Sequence, residues 1–204
     1  MASVLMTKRL SLYLPKAVLF FAIACVVLPV GMAVLPNSAN AQEAVVKDMV
    51  VANSDTKMLL YLMVDNAFTP QMEEGIKNGI PVTFTFYVEL LQKRQDWPDK
   101  QLAAFNFNHT LSYDNLKDEY QVKMMEKSGR IMASKTLVEA RKIMIEINGL
   151  ELAALSSMPH GMTYLVRVKV TLVKRSLPLN FHYLVPFWGM GDFETEYQQI
   201  EFKY

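Results

Sequence analysis

The chain has 204 residues, of which 51% are hydrophobic and 20% charged, so it can form the core of one domain and wholesale disorder is excluded. A formal net charge of +1 excludes a strongly basic nucleic-acid binder. The single cysteine excludes an intramolecular disulfide and any multi-cysteine metal site.

Residues 1–41 have the order of a secretory signal peptide. Three basic residues precede or begin an uncharged, largely apolar run at 17–35, and the small residues Ala39 and Ala41 follow it. This order predicts export, with cleavage after Ala41. The run is also long enough for a retained membrane anchor, although Pro29 and Gly31 interrupt it. Both alternatives place residues 42–204 in a bacterial periplasm or at the outer face of the inner membrane.

Cysteine chemistry is confined to this leader. Cys25 follows Ala22-Ile23-Ala24, which differs from a lipid-attachment box, so lipidation is disfavoured. Without the leader, the chain has 18 basic residues, 20 acidic residues and no cysteine. The stability of this single exported domain must therefore come from its core.

The exported domain begins with two β-rich runs, Val45–Val51 and Lys57–Asp65, separated by a turn at Asn53-Ser54-Asp55. The second run is apolar on both faces, which is typical of a central strand. Thr69-Pro70 then predicts a helix start, and Asn78-Gly79 predicts its end.

From Pro81 the hydrophobic period changes to two residues. Val82–Leu90 alternates apolar and polar positions and predicts a half-buried strand. Further strands are predicted over Phe105–Tyr113 and Tyr120–Met124, with a turn at Ser128-Gly129.

Thr136–Glu139 has the pattern of a capping box and predicts the start of the main helix. We expect this helix to run to about Ile147 and to stop at Asn148-Gly149. A short apolar segment, Leu150–Leu155, follows it, and Tyr164–Leu172 predicts another strand.

The last β-rich run contains two sets of apolar residues at positions of opposite parity. Phe193 and Tyr197 form one set, and Ile200, Phe202 and Tyr204 form the other, so one strand register cannot bury both sets. A β-bulge near Gln198-Gln199 is predicted to reconcile them. Together the elements predict a strand-dominated α+β domain. Its sheet is mostly antiparallel, curved or sandwich-like, with one main packing helix and one short helix.

No motif predicts catalysis, a metal site or a cofactor. The histidines of the exported domain, His109, His160 and His182, fall in separate segments, and no Gly-x-Ser-x-Gly elbow is present. Carboxylates cluster near Asp96, Asp114 and Glu194, where solvated loops or strand faces explain them best. A hydrolase that uses such carboxylates with a histidine is kept as a third hypothesis.

Two sets of residues are candidates for binding. Exposed aromatic and basic side chains could meet a protein or membrane partner, although an ordinary solvent face or packing across a sheet end also explains them: Trp97, Arg167, Lys169 and Trp188. Apolar side chains could line a pocket between sheet and helix for an apolar ligand: Phe84, Phe86, Phe105, Phe107 and Met144.

These landmarks resemble domain-of-unknown-function family 4390, which is found in exported bacterial proteins. The resemblance rests on Gly79–Phe84 at the start of a strand, on Trp97 and Trp188, on the Thr136-Leu137 helix start, and on Tyr164–Arg167 in a strand that runs toward Leu177-Pro178. It covers most of residues 55–204, although the family often has several tryptophans where this chain has Trp97 alone. It implies export and an envelope role, and supplies no activity, catalytic residue or ligand.

The leading hypothesis is therefore a non-enzymatic cell-envelope domain that binds a protein or membrane partner and no nucleic acid. The alternative is a carrier of an apolar ligand in a cavity between sheet and helix.

Overall fold

Nine strands and two helices make up the part of the chain that the computed structural model describes, which is residues 43–173 and 194–204. The strands are β1 Val45–Asn53, β2 Lys57–Asp65, β3 Val82–Gln92, β4 Lys100–Asp114, β5 Glu119–Met124, β6 Arg130–Ser134, β7 Glu146–Ala154, β8 Thr163–Leu172 and β9 Gln198–Lys203. The helices are α1 Pro70–Lys77 and α2 Leu137–Ile145, and 3₁₀ turns lie at Met125–Lys127 and Leu155–Ser157. The predicted α+β, strand-dominated class is confirmed.

The strands form two antiparallel sheets. The first has the order β1-β2-β7 and the second the order β6-β5-β4-β3-β8-β9. Buried side chains from both sheets belong to one hydrophobic cluster. Of the two architectures predicted, the sandwich-like one describes this arrangement.

Strand β2 is central in its sheet, as its apolar sequence predicts. One face, with Met58, Leu60, Leu62 and Val64, is buried, while the other face is only half-buried. Strand β3 lies inside the six-stranded sheet, between β4 and β8. Its even-numbered residues from Val82 to Leu90 are almost completely buried.

Helix α1 begins and ends where the sequence predicts. The Thr69 hydroxyl accepts a hydrogen bond from the Met72 N–H at 3.2 Å, and Pro70 occupies the first turn. The chain leaves the helix at Asn78 and turns at Gly79, whose φ is +81°. A residue with a side chain is strained at that φ, which explains a glycine there.

Helix α2 ends earlier than predicted, and strand β7 follows it directly. Ile145 is the last helical residue, and Glu146 already has an extended backbone. Asn148-Gly149 therefore lies inside a strand. Gly149 has no partner in the register of β2 and β7 and has a φ of +74°, so it is the extra residue of a β-bulge. Leu150–Leu155 continues the strand and ends in a 3₁₀ turn.

The capping box of α2 is only half formed. The Thr136 hydroxyl accepts from the Glu139 N–H at 3.3 Å, as predicted. The Glu139 carboxylate instead accepts from the Ser134 hydroxyl at 2.7 Å, and the Thr136 N–H donates to the same Ser134 oxygen at 3.1 Å. Ser134, at the end of β6, thus accepts the hydrogen bond from the Thr136 N–H that a capping box assigns to the Glu139 carboxylate.

The chain before β9 contains the predicted one-residue slip, slightly earlier than expected. Thr195 is buried and exchanges hydrogen bonds with Val170, while Gln198 pairs with Val168. Thr195 and Gln198 are three residues apart, whereas their partners on β8, Val170 and Val168, are two residues apart. This one-residue difference leaves Tyr197 on the outward face. Phe193 lies outside the described residues.

Strand β6 is the one described strand with no counterpart in the sequence prediction. Its first four residues are exposed, so its sequence has no buried-exposed alternation to detect.

Candidate functional site

The site is an open groove of about 680 Å³ where β4, β7 and the 3₁₀ turn at Met125–Lys127 approach each other. Phe105, Phe107 and Leu150 supply apolar lining, and Asn106 supplies an amide. The groove therefore offers both polar and apolar contacts.

Two free strand edges border this groove. Strand β5 pairs with β4 only over His109–Asp114, so among the described residues the earlier part of β4 has a partner on one side only. Strand β7 likewise pairs only with β2. Because an unpaired edge presents a row of backbone N–H and C=O groups, the groove can form hydrogen bonds with an extended chain.

A buried histidine–carboxylate pair lies against the groove wall. His109 is on β4 and Glu126 follows β5, and the β4–β5 hairpin brings them together. The His109 Nε2 and the Glu126 Oε2 are 3.0 Å apart, and the two side chains are 0% and 7% exposed. The His109 Nδ1 is 2.9 Å from the Met144 carbonyl oxygen, at the end of α2.

These contacts determine where the protons of the pair lie. A carbonyl oxygen can only accept, so the His109 Nδ1 must carry a proton. At Nε2, the ionised Glu126 carboxylate can only accept the hydrogen bond. Burial raises the pKa of the Glu126 carboxyl, but the hydrogen bond and the charge of His109 outweigh it, and the pKa lies below its ordinary value of 4.5.

The five residues predicted to line a ligand pocket fall into two groups. Phe105 and Phe107 line the groove, whereas Phe84, Phe86 and Met144 are completely buried in the core. Phe86 joins the groups, because its ring stacks on Phe107 at 5.4 Å between centroids and lies 4.7 Å from the ring of His109. A ligand-binding role for these residues stays a prediction.

The two basic residues predicted to contact a partner lie elsewhere, on the outward face of β8. Arg167 forms an ion pair with Glu89, and Lys169 forms one with Glu194. Both cations also lie about 5 Å from the ring of Tyr197, at 5.3 and 5.2 Å respectively. Hydrogen bonds to the two carboxylates raise the pKa of both cations. Each charge is thus balanced within the chain.

The two tryptophans predicted to contact a partner differ in whether the structure describes them. Trp97 lies in the loop between β3 and β4 and is 74% exposed. Trp188 lies outside the described residues. A partner-binding role for Trp97, Arg167, Lys169 and Trp188 stays a prediction.

The other polar residues of interest have structural contacts. His160 packs on Tyr204 with 4.6 Å between ring centroids, and Asp114 accepts from the backbone N–H groups of Leu116 and Lys117. No group of three potential metal ligands occurs within 43–173 and 194–204. Across the same ranges, no helix combines the length and hydrophobicity of a membrane span.

No pattern in the sequence indicates the role of Glu126 or the free strand edges. The alternation Phe105, Phe107, His109, Leu111 places a histidine on a buried face, which is a signal for a polar partner. The identity of that partner depends on the β4–β5 register, which no local motif indicates.

Comparison with known proteins gives the family. A family model described as Domain of unknown function (DUF4390) matches residues 41–201. The chain belongs to the DUF4390 family. The match confirms the resemblance and begins before residue 55, so β1 is part of the DUF4390 domain. Neither the curated proteins nor the solved structures contain a match.

Proposed function

We propose that this DUF4390 domain is a non-enzymatic cell-envelope domain that binds a protein partner through the groove between β4 and β7. The observation that carries the proposal is the pair of free strand edges beside the half-buried side chains of Phe105 and Leu150. An extended segment of a partner can pair with the backbone of β4 while its side chains contact Phe105 and Leu150.

The envelope location rests on the leader. A basic start, an apolar run and the small residues Ala39 and Ala41 favour export followed by cleavage after Ala41. A retained anchor leaves the domain in the same compartment, at the outer face of the inner membrane.

The non-enzymatic character is supported by the environment of His109. Both ring nitrogens have hydrogen-bond partners inside the protein, so neither is free to act as a general base on a substrate. The carboxylates of Glu89 and Glu194 are likewise held in ion pairs. These contacts disfavour a hydrolase.

A carrier of an apolar ligand is the second candidate, because Phe105 and Phe107 line the groove. It is less well supported, since Phe84, Phe86 and Met144 belong to the packed core. Native mass spectrometry of the purified full chain separates the candidates. A bound lipid that dissociates in organic solvent supports the carrier, and an empty protein disfavours it.

Site-specific photo-crosslinking in cells tests the protein-binding proposal. A photoreactive amino acid replaces Ala104, which is exposed in the groove, or Gln199, which is exposed on β9 outside it. We expect a discrete protein adduct from position 104 and none from position 199. Equal adduct patterns from the two positions, or no adduct at 104, would contradict the proposal.

A further inference from the structure

Strand β6 forms one outer edge of the six-stranded sheet, and its exposed side chains are unusual for such a position. Ile131 is 56% exposed and Met132 37% exposed, and Ala133 follows them. The register of β6 with β5 is regular from Arg130 to Ser134. Among residues 43–173 and 194–204, no strand pairs with the other edge of β6.

The outer edges of β1 and β9 are protected in the ways that natural sheets use, whereas the free edges of β4 and β7 border the groove. Strand β1 has a bulge between Lys47 and Val50. Strand β9 presents the charged residues Glu201 and Lys203 on its exposed face. Strand β6 has neither a bulge nor a charge in its centre, so its edge is suited to pairing with another strand.

Further exposed apolar residues adjoin β6. Met125 follows the residue that pairs with Arg130, and Val138 lies in the first turn of α2, just beyond the end of the strand. Lys135 donates to the carbonyl oxygen of Lys117, which places the turn containing Leu116 nearby. Because Leu116 is 98% exposed and Val138 77% exposed, the apolar surface extends beyond the strand itself.

We propose that β6 pairs with β6 of a second copy of this chain, antiparallel and centred on Met132, so that the two six-stranded sheets join across a two-fold axis. In this register Met132 lies opposite the partner's Met132, Ile131 lies opposite the partner's Ala133, and Arg130 lies opposite the partner's Ser134. The apolar residues meet one another, as an isologous interface requires.

The charges of the edge also permit this pairing. Arg130 and the partner's Arg130 lie at opposite ends of the paired segment, about 13 Å apart along the strand direction. This distance exceeds the screening length of about 8 Å at physiological salt, so their repulsion is weak. Because five residues bury less area than a standard interface, the dimer is expected to dissociate in about the micromolar range.

Cysteine crosslinking of the full chain tests the register. In a Cys25→Ser background, Met132→Cys places two sulfurs opposite each other, with Cα atoms about 5 Å apart, which a disulfide spans. In the Ile131→Cys variant the two Cα atoms are about 8 Å apart, which a disulfide does not span. Gln199→Cys is the matched control on the opposite edge, β9.

Cells are treated with a membrane-permeant oxidation catalyst, so that the result does not depend on the compartment. We expect at least ten-fold more disulfide-linked dimer from Met132→Cys than from Ile131→Cys or Gln199→Cys. Adding Ile131→Lys to Met132→Cys should reduce the dimer at least ten-fold. A Met132→Cys dimer no more abundant than that of either control, or undiminished by Ile131→Lys, would overturn the proposal.

Discussion

The His109–Glu126 pair is the most consequential polar contact inside the described domain. The imidazole connects β4 to the end of α2 through the Met144 carbonyl, and it connects β4 to the 3₁₀ turn through Glu126. Removal of one member of a buried ion pair leaves the other charge without a partner, and that loss is large. The pair therefore stabilises the wall of the groove.

Glu126→Gln is expected to lower the free energy of unfolding by about 3 kcal/mol. Urea unfolding at neutral pH measures it, with Glu196→Gln as the control, because Glu196 is exposed and forms no ion pair among the described residues. A loss for Glu126→Gln no larger than that of the control would contradict the assigned role.

The stabilisation by Glu126 should depend on pH in one direction. Its pKa is lower in the folded state than the ordinary 4.5, so its contribution is complete above that value. The contribution is lost as the pH falls through the folded-state pKa. The difference between wild type and Glu126→Gln should thus shrink as the pH falls below 4.5. Unfolding measured from pH 3 to 7 tests this, and a constant difference would contradict it.

At the scale of elements, glycines mark the points where local patterns and tertiary structure differ. Asn148-Gly149 has the signature of a helix end, but Gly149 is the extra residue of a bulge in β7. An added Cβ would lie 3.7 Å from the Tyr61 hydroxyl oxygen, which is ordinary contact, so the positive φ alone requires glycine. Gly75 differs, since it lies in α1 at a helical position with 3.8 Å to Ile80.

Gly149→Ala is therefore expected to destabilise the domain by about 1 kcal/mol through backbone strain. Gly75→Ala is expected to stabilise it by about 0.5–1 kcal/mol, because alanine loses less backbone entropy in a helix. Thermal unfolding of both variants measures the effects. The same sign for both would contradict the bulge assignment.

Sequence patterns indicate elements well where one face is buried and poorly elsewhere. Strands β3 and β8 have an apolar residue at every second position, which predicts both strands, and Thr69-Pro70 predicts the helix start. Strand β6 was missed because both its faces are exposed. The start of β7 was assigned to the helix because no loop separates α2 from β7 and the bulges disrupt the alternation.

At the scale of the molecule, the groove is a product of strand length and strand order. It exists because β4 extends beyond β5 and because β7 belongs to the smaller sheet. Neither property is encoded in a short motif. The alternation of Phe105 and Phe107 suggested that they line a pocket between sheet and helix, but it did not indicate the free edges of β4 and β7 beside them. The groove is bordered by the edges of β4 and β7, and the proposed dimer pairs through the edge of β6, so the two proposals concern different strand edges.

The most direct test of the account is the rate at which a membrane-impermeant maleimide labels Asn106→Cys, in a Cys25→Ser background. Asn106 is exposed and lines the groove, and Gln199→Cys gives the reference rate outside it. In intact cells, where a small maleimide passes the outer membrane but not the inner one, we predict that both positions are labelled, because the proposal places the domain outside the cytoplasm. We also predict a lower rate ratio of position 106 to position 199 than in the purified protein, because the proposed partner would shield position 106. Labelling only after lysis would contradict export, and an unchanged ratio would contradict an occupied groove.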